Sequence, residues 1–386
     1  MSTGKRVYLD NAATTQQKPA CVAEAVVAAL SSFGNSGRDT GGSALDASRV
    51  IYEAREKLCS LLHADSPKQI VFTSNSTEAL NMAIRGLFSR GDHVISSVME
   101  HNAVLRPIYD IELEQGVSHT FVGVDEKGRL MLSEVEKHIR PETKALIFTH
   151  ASNVTGNAND LYALGKIAKA HNLLFLVDAS QTAGVLPIDM QAMDIDVLAF
   201  TGHKGLYGPQ GTGGMAVREG LSIRPLKSGG TGVLSYLKHQ PDEMPTHLEC
   251  GTMNGHGLAG LRASLSWLMD EIGVENVHRH ETKLAKSFYD GLKDMEALHF
   301  YGDYESEERA AIVSLNIADY DSSEVSDQLE QDYGISTRPG AHCAPLIHEA
   351  MGTVEQGMVR FAFSWFNTED DVDYAVKAVR ELASDI

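Results

Sequence analysis

The chain is 386 residues long, 43% hydrophobic and 22% charged, with a formal net charge of −19; that length buries a large core and divides into about two domains of ordinary globular composition. The acidic surplus leaves no basic stripe for nucleic-acid phosphates or an anionic membrane surface, and no run of about 18 apolar residues is present to span a bilayer. Cys21, Cys59, Cys250 and Cys343 show neither CxxC pairing nor a disulfide framework, and the first ten residues lack a signal-peptide core, so the expectation is a cytoplasmic protein without a metal site.

Short apolar runs at 69–73, 93–97, 118–122, 145–150, 173–178, 197–200 and 213–217 predict seven strands. Amphipathic stretches between them, such as 76–88 and 160–172, predict helices. Alternation of this kind gives a mostly parallel sheet covered on both faces. Residues 226–257, rich in Gly, Pro, Ser and His and without periodicity, predict a long functional loop region. Beyond it the pattern predicts helices over 258–272 and 274–292, a strand over 311–317, a helix over 322–333, a strand over 357–364 and a last helix over 369–384. The expected division is a large domain, 15–257, and a smaller α+β domain from 1–14 and 258–386.

Lys204 lies in Thr201-Gly202-His203-Lys204-Gly205, and Asp178 closes the apolar run Leu173-Leu174-Phe175-Leu176-Val177. Together they are the minimum apparatus for holding pyridoxal phosphate: a lysine for the aldehyde and a carboxylate that keeps the pyridine nitrogen protonated. A surface lysine and a strand-end aspartate are common on their own, so the weight falls on what accompanies them. Phe72-Thr73-Ser74-Asn75-Ser76-Thr77-Glu78 joins a predicted strand to a helix, where hydroxyls and N–H groups suit a phosphate, although a simple N-cap explains the same letters. His101 follows the strand ending near Ser97 and is placed to stack on an aromatic ring. Asn153 follows another strand, and Gln181 lies three residues beyond Asp178 with an amide for a phenolic oxygen. All fall at strand ends, the edge where open α/β sheets bind ligands.

Val177-Asp178-Ala179-Ser180-Gln181 with Thr201-Gly202-His203-Lys204 resembles the class V aminotransferases, and within them the cysteine desulfurase and selenocysteine lyase branch. The likeness runs from Tyr8-Leu9-Asp10-Asn11-Ala12-Ala13-Thr14 to Val359-Arg360 and Tyr374. It implies the fold-type-I architecture, a homodimer with active sites at the interface, and pyridoxal 5'-phosphate as cofactor. It implies Lys204 for the cofactor aldehyde, Asp178 for the ring nitrogen, Gln181 for the phenolic oxygen and His101 for ring stacking. Ser76, Thr77, Thr201 and His203 would hold the phosphate, joined by Thr252 from the partner subunit. Arg360 would grip the substrate carboxylate, where a planar fork suits two oxygens better than a lysine, with Asn11 and Asn153 in the same pocket.

Cys343 lies in Arg338-Pro339-Gly340-Ala341-His342-Cys343-Ala344-Pro345, a Gly- and Pro-flanked segment that predicts a loop, with Arg338 and His342 near enough to favour thiolate. The segment resembles the nucleophile loop of the desulfurases. It departs from the Arg-x-Gly-His-His-Cys-Ala pattern by carrying Ala341 where that pattern has its first histidine. The resemblance implies desulfuration of L-cysteine to L-alanine: Lys204 moves the Cα proton, and Cys343 takes the sulfur as a persulfide and passes it to an acceptor thiol or protein. The alternatives are a selenocysteine lyase or another class V lyase that needs no Cys343. Cys250, beside Gly251-Thr252, has no role in this scheme.

Overall fold

The computed structural model describes residues 4–34 and 42–384, with backbone alone for 42–45. Strands whose every residue is buried include β3 (His93–Ser97), β7 (Val197–Thr201) and β8 (Gly213–Val217), with the polar His93, Ser96, Ser97 and Thr201 buried beside the apolar residues. The other elements of the first part are β1 (Val7–Tyr8), α1 (Ala20–Ser32), α2 (Gly42–Leu62), β2 (Ile70–Thr73), α3 (Ser76–Leu87) and α4 (Asn102–Gln115). They are followed by β4 (Ser118–Val122), α5 (Leu132–Val135), β5 (Thr143–Thr149), α6 (Leu161–Ala170) and β6 (Leu174–Asp178). After a long stretch without helix or strand come α7 (Gly255–Ser266), α8 (Val274–Asp290), β9 (Leu298–Tyr301), β10 (Ile312–Ile317) and α9 (Ser322–Tyr333). The chain closes with β11 (Ile335–Ser336), α10 (Pro345–Met351), β12 (Val359–Ala362) and α11 (Glu369–Ser384).

Seven strands make the large sheet in the order β2-β8-β7-β6-β5-β3-β4, with β8 antiparallel to both neighbours and the other pairings parallel. Register sets Thr73 and Thr201 each opposite Gly213, and Thr149 opposite Asp178. The C-terminal ends of β2, β3, β5, β6 and β7 therefore share one edge with the start of β8. On one face, α3 and α4 bury Leu80, Ile84, Val104 and Ile108 against Ile147 and Leu176. On the other, α2, α6 and α7 bury Leu58, Leu164 and Leu261 against Phe148 and Phe175. This is the expected mostly parallel, doubly covered sheet.

The smaller domain has an antiparallel sheet β12-β10-β9 and a parallel pair β1-β11. Its core joins Phe288 of α8, Phe361 of β12 and Val379 of α11; the Phe288 and Phe361 rings lie 4.6 Å apart. Val7 and Leu9 pack in the same cluster, which places the N-terminal segment with this domain. The crossover comes later than the expected boundary at residue 258. Leu258, Leu261, Leu265 and Val277 pack under the large sheet, and only from Leu284 does α8 turn into the small-domain core. The helix expected over 258–272 starts at Gly255 and widens into a π turn over Trp267–Ile272, ended by Gly273 at φ 88°. Among the described residues no helix is long and apolar enough to cross a membrane.

Candidate active site

The edge where the parallel strands end gathers side chains from residues distant in sequence. Asp178 ends β6 and is buried, its Oδ1 accepting from the Ser180 N–H at 2.9 Å and from the Ser180 hydroxyl. Lys204 follows β7 in a turn strapped by the N-terminal segment: the Thr15 hydroxyl donates to the Lys204 carbonyl at 2.7 Å, and Lys18 Nζ donates to the His203 carbonyl at 2.8 Å. Burial brings the Lys204 ammonium down to about 8, with Asp178 opposing the shift and Arg360 and Arg338 adding to it. A lysine so placed is partly neutral near physiological pH, the form that attacks an aldehyde or takes a carbon-bound proton.

His101 caps α4, its Nδ1 accepting from the Ala103 N–H at 3.0 Å. Nδ1 is the lone-pair nitrogen, so Nε2 carries the proton. Burial, then Lys204, Arg338 and Arg360, against the pull of Asp178, lower its pKa to about 4, which keeps the ring neutral. Gln181 Nε2 donates to the Ala12 carbonyl at 3.1 Å, and Gln181, Asn11 and Lys204 line one small cavity. Asn11 is buried and donates to the Ala362 carbonyl at 2.8 Å.

The other domain supplies the cation and the thiol. Arg360, 1% exposed on β12, donates from Nη1 to the Asn153 carbonyl at 2.9 Å and from Nη2 to Asp10 Oδ1 at 2.6 Å. Burial lowers its pKa and the Asp10 carboxylate counters that. Cys343 is exposed in a turn before α10, as the flanking Gly and Pro predict, with Arg338 Nη2 3.8 Å from its Sγ. His342 and Cys343 both have left-handed backbones, φ 51° and 57°, each costing about 1–2 kcal/mol for a residue with a Cβ. Neighbours hold that turn: the Asn102 N–H donates to the Cys343 carbonyl at 2.7 Å, and Asn153 Nδ2 to the His342 carbonyl at 2.8 Å. One expectation is corrected here. His342 is buried and its pKa is driven well below the ordinary value by burial; it carries no charge to favour thiolate, which leaves Arg338 as the cation beside Sγ.

The residues expected at a phosphate lie where β2, β7 and β8 meet α3. Asn75, not Ser76, is the N-cap of α3, accepting from the Glu78 N–H, and Ser76 is buried behind it while Thr77 is exposed. A Cβ on Gly213 would come 2.6 Å from Asn75 Cα, so only glycine lets β8 approach this helix start. His203 Nδ1 is paired with the Thr14 hydroxyl at 3.0 Å, and burial lowers its pKa to about 4. Thr252 is exposed in a cavity of about 270 Å3 that it shares with Ser74, Lys227 and Cys250.

Among the described residues, the buried atoms Thr201 Oγ1, Asn153 Oδ1 and Arg360 Nε have no hydrogen-bond partner. Buried groups of that kind cost about 1–3 kcal/mol each unless a ligand satisfies them. A hydroxyl at the helix edge suits a phosphate oxygen, and an acceptor beside a guanidinium suits an amino acid. The donor set fits pyridoxal phosphate with an amino-acid substrate.

Two acids escaped the sequence reasoning. Asp10 stands in a segment quoted only for its likeness, and nothing in its neighbours marks it as the counter-ion of Arg360. Glu100 precedes His101 and is fully buried; Ser97 Oγ and the Thr149 N–H donate to its Oε1 at 2.6 and 3.0 Å, and Oε2 has no partner among the described residues. Burial and the nearby Asp178 raise its pKa to about 8, against those two hydrogen bonds.

A family model described as aminotransferase class-V matches residues 7–375. A probable cysteine desulfurase of Methanothermobacter thermautotrophicus is 33% identical over 389 aligned residues, which cover 98% of this chain and 94% of the relative. The solved structure of a cysteine desulfurase from Thermococcus onnurineus matches with a TM-score of 0.93 at 32% identity, covering 99% of this chain and 95% of that one. The cysteine desulfurase CsdA from Escherichia coli matches with a TM-score of 0.88 at 31% identity, covering 98% and 95%.

Proposed function

Because the chain belongs to the class-V aminotransferases and is an enzyme of the cysteine desulfurase kind, we propose that it converts L-cysteine to L-alanine with pyridoxal 5'-phosphate, and that Cys343 takes the sulfur. The observation that carries this reading is the convergence of Lys204 and Asp178 from the large domain with Arg360 and the Cys343 turn from the small one. Lys204 would hold the cofactor aldehyde, Asp178 would pair with the ring nitrogen, Gln181 would serve the phenolic oxygen, and His101 would stack on the ring. Ser76, Thr77, Thr201 and His203 would hold the phosphate, joined by Thr252 from a second copy of the chain in a homodimer.

The cofactor, when bound, supplies an electron sink that acidifies the substrate Cα–H and loosens its Cβ–S bond. Arg360 orients the substrate carboxylate, with Asn11 and Asn153 beside it; Asp10 and the Asn153 carbonyl fix the guanidinium beforehand. Lys204, partly neutral near pH 8, takes the Cα proton. Neutral His101 offers Nε2–H without bringing a second cation to the site. The Cys343 thiolate attacks the substrate sulfur: an S–S bond forms, the Cβ–S bond breaks, and its electron pair stays on Cβ, which gains a proton, while Lys204 returns the proton it took to Cα to give alanine. The thiol is oxidised to a persulfide as the substrate carbon is reduced, and an acceptor thiol or carrier protein then takes the outer sulfur.

Alanine release from L-cysteine with a reductant, compared for wild type and Cys343→Ala, tests this. The expected result is a fall of at least about a hundredfold in the variant, with the cofactor's visible absorbance unchanged. Equal release from both would sink the nucleophile assignment and point to a lyase.

A further inference from the structure

Beneath the Cys343 turn runs a directional chain of hydrogen bonds for which the reaction above has no use. His342 Nε2 lies 2.9 Å from the Arg338 carbonyl. A carbonyl only accepts, so Nε2 carries the proton and Nδ1 of the neutral ring holds a lone pair. His342 Nδ1 lies 3.3 Å from His348 Nε2, which must then donate. His348 Nδ1 is left as an acceptor, 2.8 Å from the Thr353 hydroxyl, which donates to it. His342, His348 and Thr353 are all buried, at 3%, 1% and 2% exposure, and the two rings lie within 12° of parallel. Each link fixes the next. A flipped tautomer at His348 would reverse the bond to the Thr353 hydroxyl and set two nitrogen lone pairs against each other between the rings, leaving His342 without its donor.

The contacts from Asn102 and Asn153 hold carbonyls of the turn. The chain from α10 instead holds a side chain, and through it the left-handed pair His342-Cys343. Histidine suits both places because each must donate with one nitrogen and accept with the other.

We propose that His348 and Thr353 are positioning residues of the sulfur-transfer step, locking His342 in its Nε2–H form so that the turn presents the Cys343 thiol to the substrate sulfur. This rests on the reading of Cys343 as the sulfur acceptor. His348→Leu removes the donor; His348→Gln keeps an N–H at the place of Nε2; Thr353→Val removes only the hydroxyl.

The test uses the holoenzymes of wild type, these three variants and Cys343→Ser, with two rates and the cofactor absorbance for each. One rate is alanine release from L-cysteine, which needs the thiol. The other is exchange of the L-alanine Cα proton with solvent deuterium, which needs Lys204 and the cofactor but no thiol. The expected result for His348→Leu is alanine release down at least about tenfold, the scale of a sub-ångström misplacement, with Cα exchange within about twofold of wild type. His348→Gln recovers most of the release, and Thr353→Val falls between. Undiminished release by His348→Leu overturns the proposal. Parallel loss of both rates overturns it too, since that marks general damage, as does failure of His348→Gln to recover. If His348→Leu does not fold, Thr353→Val decides: selective loss of release supports the proposal and wild-type release overturns it. Full release by Cys343→Ser would instead sink the parent reading, and the relay with it.

Discussion

Lys204 and Glu100 show how differently two buried ionisable groups announce themselves. Lys204 stands in a Thr-Gly-His-Lys-Gly turn after an apolar run, and Asp178 closes another run, so both fall at strand ends that periodicity locates. Glu100 follows Met99 in what reads as a polar loop, and no local pattern marks a carboxyl at 0% exposure. Its burial depends on the later strand β5, whose Thr149 N–H reaches back to it. The same blindness covers the Asp10–Arg360 pair, which joins residues 350 apart in sequence, and the charge of His342, which sequence proximity to Cys343 misjudges. Glu100 has a measurable consequence. Its folded carboxyl stays protonated to about 8, against 4.5 as the ordinary value, so the folded state holds an extra proton between those values. Its contribution to stability is then greatest at the acid end and falls as pH rises through that window. Glu100→Gln is neutral throughout and keeps the acceptor for Ser97 and Thr149. The melting temperature of the variant relative to wild type should therefore climb by several degrees from about pH 5 to about pH 8. A pH-independent difference would mean that Glu100 is ionised in the fold.

At the scale of elements, all seven strands of the large sheet were legible, helped by short, mostly apolar runs such as Val197–Phe200 and Gly213–Val217. Helices were less so. α4 carries Pro107 inside it, which breaks the helical signal, and α1 leaves Val27 and Leu30 exposed at 63% and 62%, so its apolar residues do not form one clean stripe. The helix expected over 258–272 was read to its end, through the π turn, and only its first turn, Gly255-His256-Gly257, went unread, because it carries no apolar period. The helix start at the expected phosphate site depends on a contact that no helical pattern reveals, between Gly213 of β8 and Asn75. Gly213→Ala places a Cβ 2.6 Å from Asn75 Cα, backbone that cannot yield as a side chain does. The expected outcome is a displaced α3 N-terminus, a stability loss of about 1–3 kcal/mol from overpacking, and at least about tenfold weaker retention of the cofactor. Equilibrium dialysis of cofactor against the purified variant checks this. Wild-type retention would separate the α3 start from the phosphate site.

Across the whole molecule, the site exists only where two cores meet. Lys204, Asp178 and His101 belong to the large sheet's edge; Arg360, Arg338 and Cys343 arrive from the smaller domain; Asp10 and Asn11 come with the N-terminal segment that packs in that same smaller core. A buried link ties the two bodies. Tyr207, in the Lys204 loop, donates to Glu281 Oε1 at 2.5 Å and accepts from the Trp365 N–H at 2.9 Å. Sequence resemblance alone joined these parts, since no period or spacing within either domain requires residue 204 to face residue 360. On the proposed reading, their meeting turns a lysine with depressed basicity, a fixed guanidinium and an exposed thiol into apparatus for moving sulfur rather than an amino group. The most direct test is the mass of the Cys343-containing peptide after holoenzyme is mixed with one equivalent of L-cysteine, without reductant. A gain of one sulfur atom on that peptide, removed by a reductant and matched by one alanine released, is the predicted result. Alanine released with Cys343 unmodified would contradict it.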